Sequence, residues 1–427
     1  MNDHKAFLLR MFDAAVAAAH PNAVLKPHLP PKPLGRIICL CAGKGAAAMA
    51  AVTEDYYLDS LGLPPERLIG LATTRHGHGV PTRRIEVIEA GHPYPDRAGL
   101  ISADRALDLA AQAVPSDLVL VLLSGGGSAN WIAPVEGLDF EEKRNLNKAL
   151  LKSGASIGEI NLVRKHLSRI KGGRLARAAR HAEAIITLAI SDVPLDDASA
   201  IASGPTVPDP TTLADARAVL EKYDIKVGDA VRRALENERN ESCKVDDIAF
   251  ARARFELIAR PRQSLDAVAK LARQAGYELM DLGADIQGEA RTVAQEHARI
   301  AMRARSTGVR TAILSGGELT VTVRGKGRGG PNQEYALAFI AALGDMNAIS
   351  LLAADTDGAD GGAGRPNDPA GVMIDVSTVA KARKCGLNLN ASLEDNDATA
   401  FFEATGDLLH SGPTLTNVND VRAIFVD

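Results

Sequence analysis

The sequence predicts an α/β protein of two domains, each a sheet covered by helices. Strand-like apolar runs alternate with helical stretches through most of the 427 residues, the pattern of helices laid on largely parallel sheets. Several runs, among them "DLVLVLL" (117–123) and "AIITLAI" (184–190), are apolar without alternation, as strands covered on both faces are. The chain is also too long for one ordinary core. The N-terminal domain is expected to hold a mostly parallel sheet with helices on both faces, and the C-terminal domain a mixed sheet.

Taken in order, the first element is an amphipathic helix, with Phe7, Leu8, Met11, Phe12, Ala15 and Ala19 on one face. Its small-residue end resembles a signal peptide, but Arg10 and Asp13 interrupt the apolar region. The proline-rich "HPNAVLKPHLPPKPLG" (20–35) connects it to strands at 36–42, 67–73, 84–89, 117–123 and 184–190. Helices are expected at 45–58, 97–113, 141–152, 158–170 and 211–222. The polar "ENERNESCKVDD" (236–247) marks an interdomain boundary, giving domains 1–238 and 239–427. The second is expected to begin with "FELIAR" (255–260) and continue through strands at 310–316, 319–325, 349–355, 370–376 and the terminal "VRAIFVD".

Composition narrows the function. Charged residues make up 24%, the net charge is −4 and aromatics are 4%, which argues against nucleic-acid and membrane partners. Four scattered cysteines, Cys39, Cys41, Cys243 and Cys385, form neither a disulfide framework nor a zinc site. A cytoplasmic location is expected.

The chemistry gathers at strand ends. "CAGKGAAA" (41–48) fits the relaxed dinucleotide fingerprint G-x-G-x-x-A through Gly43, Gly45 and Ala48. Yet Lys44 stands between the glycines, where a phosphate-handling enzyme would place a cation. "SGGGSA" (124–129) offers Ser124, Gly125, Gly126, Gly127 and Ser128 to phosphates through backbone N–H groups and hydroxyls. "SGGE" (315–318) and "RGKGRGGPNQE" (324–334) are further glycine loops. In the latter, Gly325, Gly327, Gly329 and Gly330 would let Arg328 fold over substrate.

Carboxylates follow two strands: Asp192, Asp196 and Asp197 beside Ser203-Gly204, and Asp355, Asp357 and Asp360 in "AADTDGADGGAG" (353–364). The distal glutamate of a calcium loop is missing, so a catalytic carboxylate or Mg²⁺ contact fits the latter better. In the basic stretch 161–180, Lys165 or Lys171 could reach a polyphosphate.

Together "AGKGAAAMA", "EAGHPYPD", "LLSGGGSA", "VRKHLSRIKGG", "LAISDVPLDDASAIASGPTVPDPTT", "LSGGELTV", "KGRGGPNQEYALA", "AADTDGADG" and "SGPTLTNVNDV" resemble the class II glycerate kinases. These pair a Rossmann-like domain with a C-terminal MOFRL domain, and some relatives carry a hydroxypyruvate reductase label. The resemblance runs from about residue 36 to the end. It implies ATP- and Mg²⁺-dependent phosphorylation of D-glycerate, usually to 2-phosphoglycerate, in a cleft between domains. The family's catalytic lysine falls on Lys44 and its aspartate on Asp192. The arginine that precedes Asn-Gln-Glu in some members meets Pro331 here, leaving Arg328, three residues earlier, for that role.

The resulting assignment gives the nucleotide Gly43, Ser124, Gly125, Gly126, Gly127, Ser128, Lys165 and Gly204. Asn332, Gln333 and Glu334 are assigned to glycerate, and Glu318, Asp355 and Asp357 to Mg²⁺. Glycerate and ATP are the expected partners, and a homodimer is left open. The competing enzyme is an NAD(P)H-dependent hydroxypyruvate reductase. It lacks the usual ribose-binding carboxylate, because "TTRH" (73–76) stands after the second strand. A non-catalytic sensor of phosphorylated sugar acids is the other alternative, and it predicts affinity without turnover.

Overall fold

The computed structural model describes residues 3–193, 197–362, 365 and 367–427. Two compact units emerge: Val24–Ile258, here the first unit, and Met1–Ala23 with Ala259–Asp427, the second.

The first unit is built on a six-stranded sheet. Its strands are β1 (Ile37–Ala42), β2 (Leu68–Arg75), β3 (Ile85–Ala90), β4 (Leu118–Leu123), β5 (Ala184–Ile190) and β6 (Ala253–Ala259), in the order β3-β2-β1-β4-β5-β6. The pairs β1–β2, β1–β4, β2–β3 and β4–β5 are parallel. Every residue of β1 and β4 is buried, which is why these segments read as unbroken apolar runs. Helices Arg97–Ala111 and Arg174–Ala178 supply alanines and Leu175 to the core over the sheet. A satellite core joins helices Phe140–Lys152, Ile157–His166, Leu213–Lys222 and Asp229–Glu236.

The second unit holds β7 (Glu278–Asp281), β8 (Gly288–Glu289), β9 (Thr311–Gly317), β10 (Leu319–Thr320), β11 (Ile349–Asp355), β12 (Gly371–Ile374), β13 (Leu408–Leu409) and β14 (Asp420–Val426). Its main sheet runs β13-β12-β11-β14-β9-β7. It is mixed, as expected: β7–β9 is parallel, and the β9–β14, β11–β14, β11–β12 and β12–β13 pairs are antiparallel.

Two differences from the sequence reading have clear causes. "FELIAR" belongs to β6 and closes the first sheet rather than opening the second. The polar segment before it stays with the first unit because Cys243 N–H donates to Gly172 O (3.0 Å) and Cys243 O accepts from Asp209 N–H (2.9 Å). The division therefore falls at 258/259 instead of 238/239. The N-terminal helix Asp3–Ala19 in turn packs Leu8, Met11, Phe12 and Ala15 against Leu265, Val268 and Phe425 of the second unit. Ser264 Oγ donates to Ala15 O (2.6 Å) and Thr416 Oγ1 to Ala19 O (2.7 Å).

The strand expected at 319–325 stops at Thr320. Beyond it, Thr322 N–H donates to the Glu289 carboxylate, and Arg324 and Gly325 N–H donate to Asn396 Oδ1. Side-chain acceptors thus replace a strand partner. Among the described residues no helix is long and apolar enough to cross a membrane.

Candidate active site

In the first sheet the strand order reverses between β1 and β4. The crevice outside the carboxyl ends of strands at such a reversal is where open α/β sheets bind ligands. The two loops that leave those ends are Gly43-Lys44-Gly45 and Ser124–Ser128, and they are laced together. Lys44 N–H donates to Gly125 O (2.8 Å), Gly45 N–H to Ser124 Oγ (2.9 Å), and Ser124 N–H to Ala42 O (3.0 Å).

This lacing accounts for two residues. Gly43 has φ +122°, and a Cβ there would lie 2.3 Å from Ser124 O. The glycine is required by the neighbouring loop's approach, so no ligand is needed to explain it. The Ser124 hydroxyl, fully buried, is spent on Gly45. Both residues tie the two glycine loops to each other.

Lys44 is 8% exposed, and Thr74 Oγ1 at the end of β2 donates to its carbonyl (3.2 Å). Thr73, beside it, accepts from Trp131 Nε1 (3.0 Å). The end of the second strand, where a dinucleotide site places its ribose carboxylate, is thus occupied by threonines that brace this loop. Gly126 (φ +87°) caps the turn, and a Cβ there would meet His92 Cδ2 at 2.9 Å and Lys44 Cγ at 3.4 Å. His92, which the sequence reading passed over, therefore flanks the same spot. Its segment, "EAGHPYPD", was the available signal.

Asp192 lies two residues beyond β5, next to β4 in the sheet, and is half-buried. Its loop leaves the same carboxyl edge as Lys44 and Ser128. Asp196 lies outside the described residues. Gly204 (φ +61°) follows Ala202 (φ +49°) and Ser203 (φ +60°), an unusual run of left-handed residues of the kind that clusters at functional sites. Ser203 Oγ meets Ser128 Oγ (2.8 Å), and Lys171 Nζ donates to both Ser128 O (2.7 Å) and Ser128 Oγ (2.9 Å). Of the two lysines weighed for the polyphosphate, Lys171 is the one at the glycine loop. Lys165 instead forms a buried pair with Asp209 (3.3 Å). Burial opposes ionisation of Asp209, but the Lys165 ammonium and neighbouring hydroxyls outweigh it and hold that carboxyl below its ordinary range.

In the second unit, Asn332, Gln333 and Glu334 open the helix Pro331–Leu343 and are buried, with their side chains engaged by neighbouring residues. Asn332 Nδ2 donates to Asp420 Oδ1 (2.6 Å) and Asp360 Oδ1 (3.1 Å), and Gln333 Nε2 to Asp360 Oδ2 (3.0 Å). Glu334 accepts from Arg291 Nε (2.6 Å) and Asn396 Nδ2 (3.1 Å). Burial pushes the Asp360 carboxyl up to about 7 against its N–H donors, and the Asp420 carboxylate adds to the rise.

The glycine loop before this helix is pinned rather than free to fold over a ligand. Gly327 N–H donates to Asp395 O (2.8 Å), Arg328 N–H to Asp397 Oδ1 (3.0 Å), and Thr399 N–H to Arg328 O (2.8 Å). A Cβ on Gly325 would come 2.3 Å from the Asp395 backbone. The Arg328 guanidinium lies on the surface beside Glu403 (3.2 Å).

The register aligns Gly317 and Asp355 with Asp420 of β14, so Glu318 and Asp355 share one sheet edge. Asp355 Oδ1 accepts from Asp357 N–H (2.9 Å), and the buried Asp357 accepts from Ala359 N–H (2.8 Å). No group of three metal-ligating side chains gathers among the described residues.

The chain matches two family models: a domain of unknown function, DUF4147, over residues 7–236, and the MOFRL family over residues 311–420. It is 44% identical to an Agrobacterium vitis protein with a provisional hydroxypyruvate reductase name, over 98% of this chain and 94% of that one. It is 40% identical to the glycerate 2-kinase of Pyrococcus horikoshii, over 92% of this chain and 88% of that one. The crystal structure of glycerate kinase from Thermotoga maritima superposes with a TM-score of 0.85 at 36% identity, covering 99% of each chain.

Proposed function

The chain belongs to the glycerate kinase family of linked DUF4147 and MOFRL domains, and from that premise we propose that it transfers the γ-phosphoryl group of ATP to the 2-hydroxyl of D-glycerate, with Mg²⁺. The observation that carries the proposal is the pairing of two glycine loops at the strand-order reversal, with Lys44 on one of them and Asp192 at the end of the next strand but one.

Asp192 accepts the proton of the glycerate hydroxyl as its oxygen forms the new bond to phosphorus and the bond to the ADP oxygen breaks. Lys44 offers a point charge to the phosphoryl oxygens, on which negative charge is spread in the transition state. Backbone N–H groups around Gly125–Gly127 hold the donor phosphates. Mg²⁺ would neutralise charge on the phosphates; the carboxylates assigned to it are Glu318, Asp355 and Asp357.

The test is an assay of purified protein with ATP, D-glycerate and Mg²⁺, with the product identified by phosphorus NMR. Hydroxypyruvate with NADH or NADPH is run alongside. Formation of 2-phosphoglycerate is expected. Reduction of hydroxypyruvate without ATP turnover would reverse the assignment in favour of the reductase label carried by the Agrobacterium relative.

Two substitutions probe the loops. Gly126→Val forces a β-branched residue to φ +87° and drives its Cβ toward His92. A rise of about tenfold or more in the KM for ATP is expected, on the scale of one strained backbone position. An unchanged KM in the folded variant would move the phosphates elsewhere. The Arg328 backbone is pinned, but among the described residues its guanidinium meets only Glu403, in an exposed ion pair, which is weak, so the side chain can be given up to an anion at little cost. Arg328→Lys keeps the charge but loses the planar fork and is expected to lower turnover by about tenfold. Wild-type rates in both Arg328→Lys and Arg328→Ala would assign the role to another cation.

A further inference from the structure

A cavity of about 50 Å³ within the first unit has Ser128 and Ala129 in its lining. That is several times the ~10–15 Å³ needed to seat a single water. Lys143, Arg144, Lys148, Arg164 and Lys171 line it, and its lining includes no aspartate or glutamate.

Charge accounting makes the cavity unusual. Arg144 pairs with Glu141 (2.7 Å), and Lys148 is exposed. Lys143, Arg164 and Lys171 have no carboxylate partner among the described residues. Lys143 is 1% exposed and donates to Arg164 O (3.1 Å) and Leu167 O (2.9 Å) at the end of the helix Ile157–His166. Lys171 is 3% exposed and its two bonds go to Ser128. Arg164 Nε reaches only Asn147 Oδ1, at 3.4 Å. Each ammonium has three N–H donors and two acceptors, so one donor on each remains for an occupant.

Capping of helix carbonyls accounts for Lys143, but for neither Arg164 nor Lys171. Burial depresses Lys143 and Lys171 well below the ordinary lysine range, and the nearby Arg164 adds to the fall in both. Buried cations are costly unless something negative meets them.

We propose that this cavity is an anion subsite that holds the non-transferred phosphates of the nucleotide donor. It rests on the kinase reading above. Ser128 lines the cavity and Gly126, two residues earlier, lies against Lys44. A polyphosphate following this loop has its inner phosphates among Arg164, Lys143 and Lys171 and its terminal phosphoryl group at Lys44. The recognised class is a di- or triphosphate, with planar arginine and point-charge lysine contacts sharing the load.

The test measures binding apart from turnover. Calorimetry with ADP and with inorganic pyrophosphate is run on the wild type, Arg164→Met and Arg164→Lys, with thermal melts as the fold control. Arg164 is chosen because it holds no helix end and does not bond to Ser128. Arg164→Met should weaken ADP and pyrophosphate by at least about tenfold, the scale of a lost hydrogen bond to a charged group. Arg164→Lys should restore part of the loss. The KM for ATP should rise with it while the KM for D-glycerate stays within about twofold.

Unchanged ADP and pyrophosphate affinity in a folded Arg164→Met variant overturns the proposal, whatever the assay for kinase activity returns. Orthophosphate binding that is lost in Arg164→Met yet does not compete with ATP also overturns it, because the cavity would then be a separate phosphate site. Absence of ATP turnover with pyrophosphate binding still lost in the variant would sink the kinase reading alone.

Discussion

Lys44→Met and Asp192→Asn should each leave a folded protein whose turnover of ATP and D-glycerate falls by about 10²-fold or more, the usual scale for an electrostatic or acid–base group. The fold should survive because the loop around Lys44 is held by its backbone. The Lys44 N–H to Gly125 O bond, the Gly45 N–H to Ser124 Oγ bond and the Thr74 hydroxyl on the Lys44 carbonyl all persist when the side chain changes. Asp192 stands beyond the end of β5 and outside the strand ladder, so a neutral isostere leaves the sheet intact. Glycerate's hydroxyl is a poor nucleophile near neutral pH, and Asp192→Asn cannot take its proton. Because both residues act in one transition state, the double variant should lose far less than the product of the single losses. Single-turnover rates with circular dichroism as a fold control decide the matter. Near-normal turnover in either folded variant removes that residue from the mechanism.

Asp360→Ala should cost the second unit about 3 kcal/mol or more of stability, read from urea unfolding. The carboxyl accepts N–H bonds from the Asn332 and Gln333 backbones (2.9 Å each) as well as from both side-chain amides. Removing it leaves buried donors without acceptors, and that is the expensive direction of hydrogen-bond loss. The same residue gives the protein a pH signature. Folded Asp360 holds its proton up to about 7, against an ordinary value of 3.8. Between those values the folded state binds more protons than the unfolded one, so this group's contribution declines as pH rises through the window and levels off above it. Asp420 is raised in the same direction, by burial. The decline should be shallower in Asp360→Ala. An equally steep decline would assign it to other groups.

The layered architecture was legible because buried parallel strands leave unbroken apolar runs and glycine loops mark their ends. β1, β4 and β5 lie within a residue of where the sequence put them. What was not legible was which donors and acceptors the loops spend on one another. Nothing in the lettering "SGGGSA" says that Ser124 serves Gly45 while Ser128 meets Lys171. Nor does "PNQE" say that three polar residues at a helix start are consumed by Asp360, Asp420 and Arg291. Those pairings join residues far apart in sequence, as does the cation cavity, where Lys143 and Lys171 come from different helices and turns. The boundary at 236–247 misled for a related reason: polarity there reflects a surface segment that returns to the first sheet.

The assignment of the helix Asp3–Ala19 to the second unit has a consequence for how the chain matures. The second unit is interrupted: it begins with that helix, pauses for the whole of Val24–Ile258, and resumes at Ala259. The bond from Ser264 to Ala15 spans 249 positions, and the helix's other neighbour, Phe425, stands almost at the end of the chain. On the ribosome the first unit has all its strands while the leading helix still waits with an apolar face and no partner. The inserted unit is then expected to fold first and bring the two pieces of its host toward each other, shortening the effective loop that must close. Loss of residues 1–23 would on this account strip a helix from the last-made sheet, so damage at one end of the polypeptide would surface at the other.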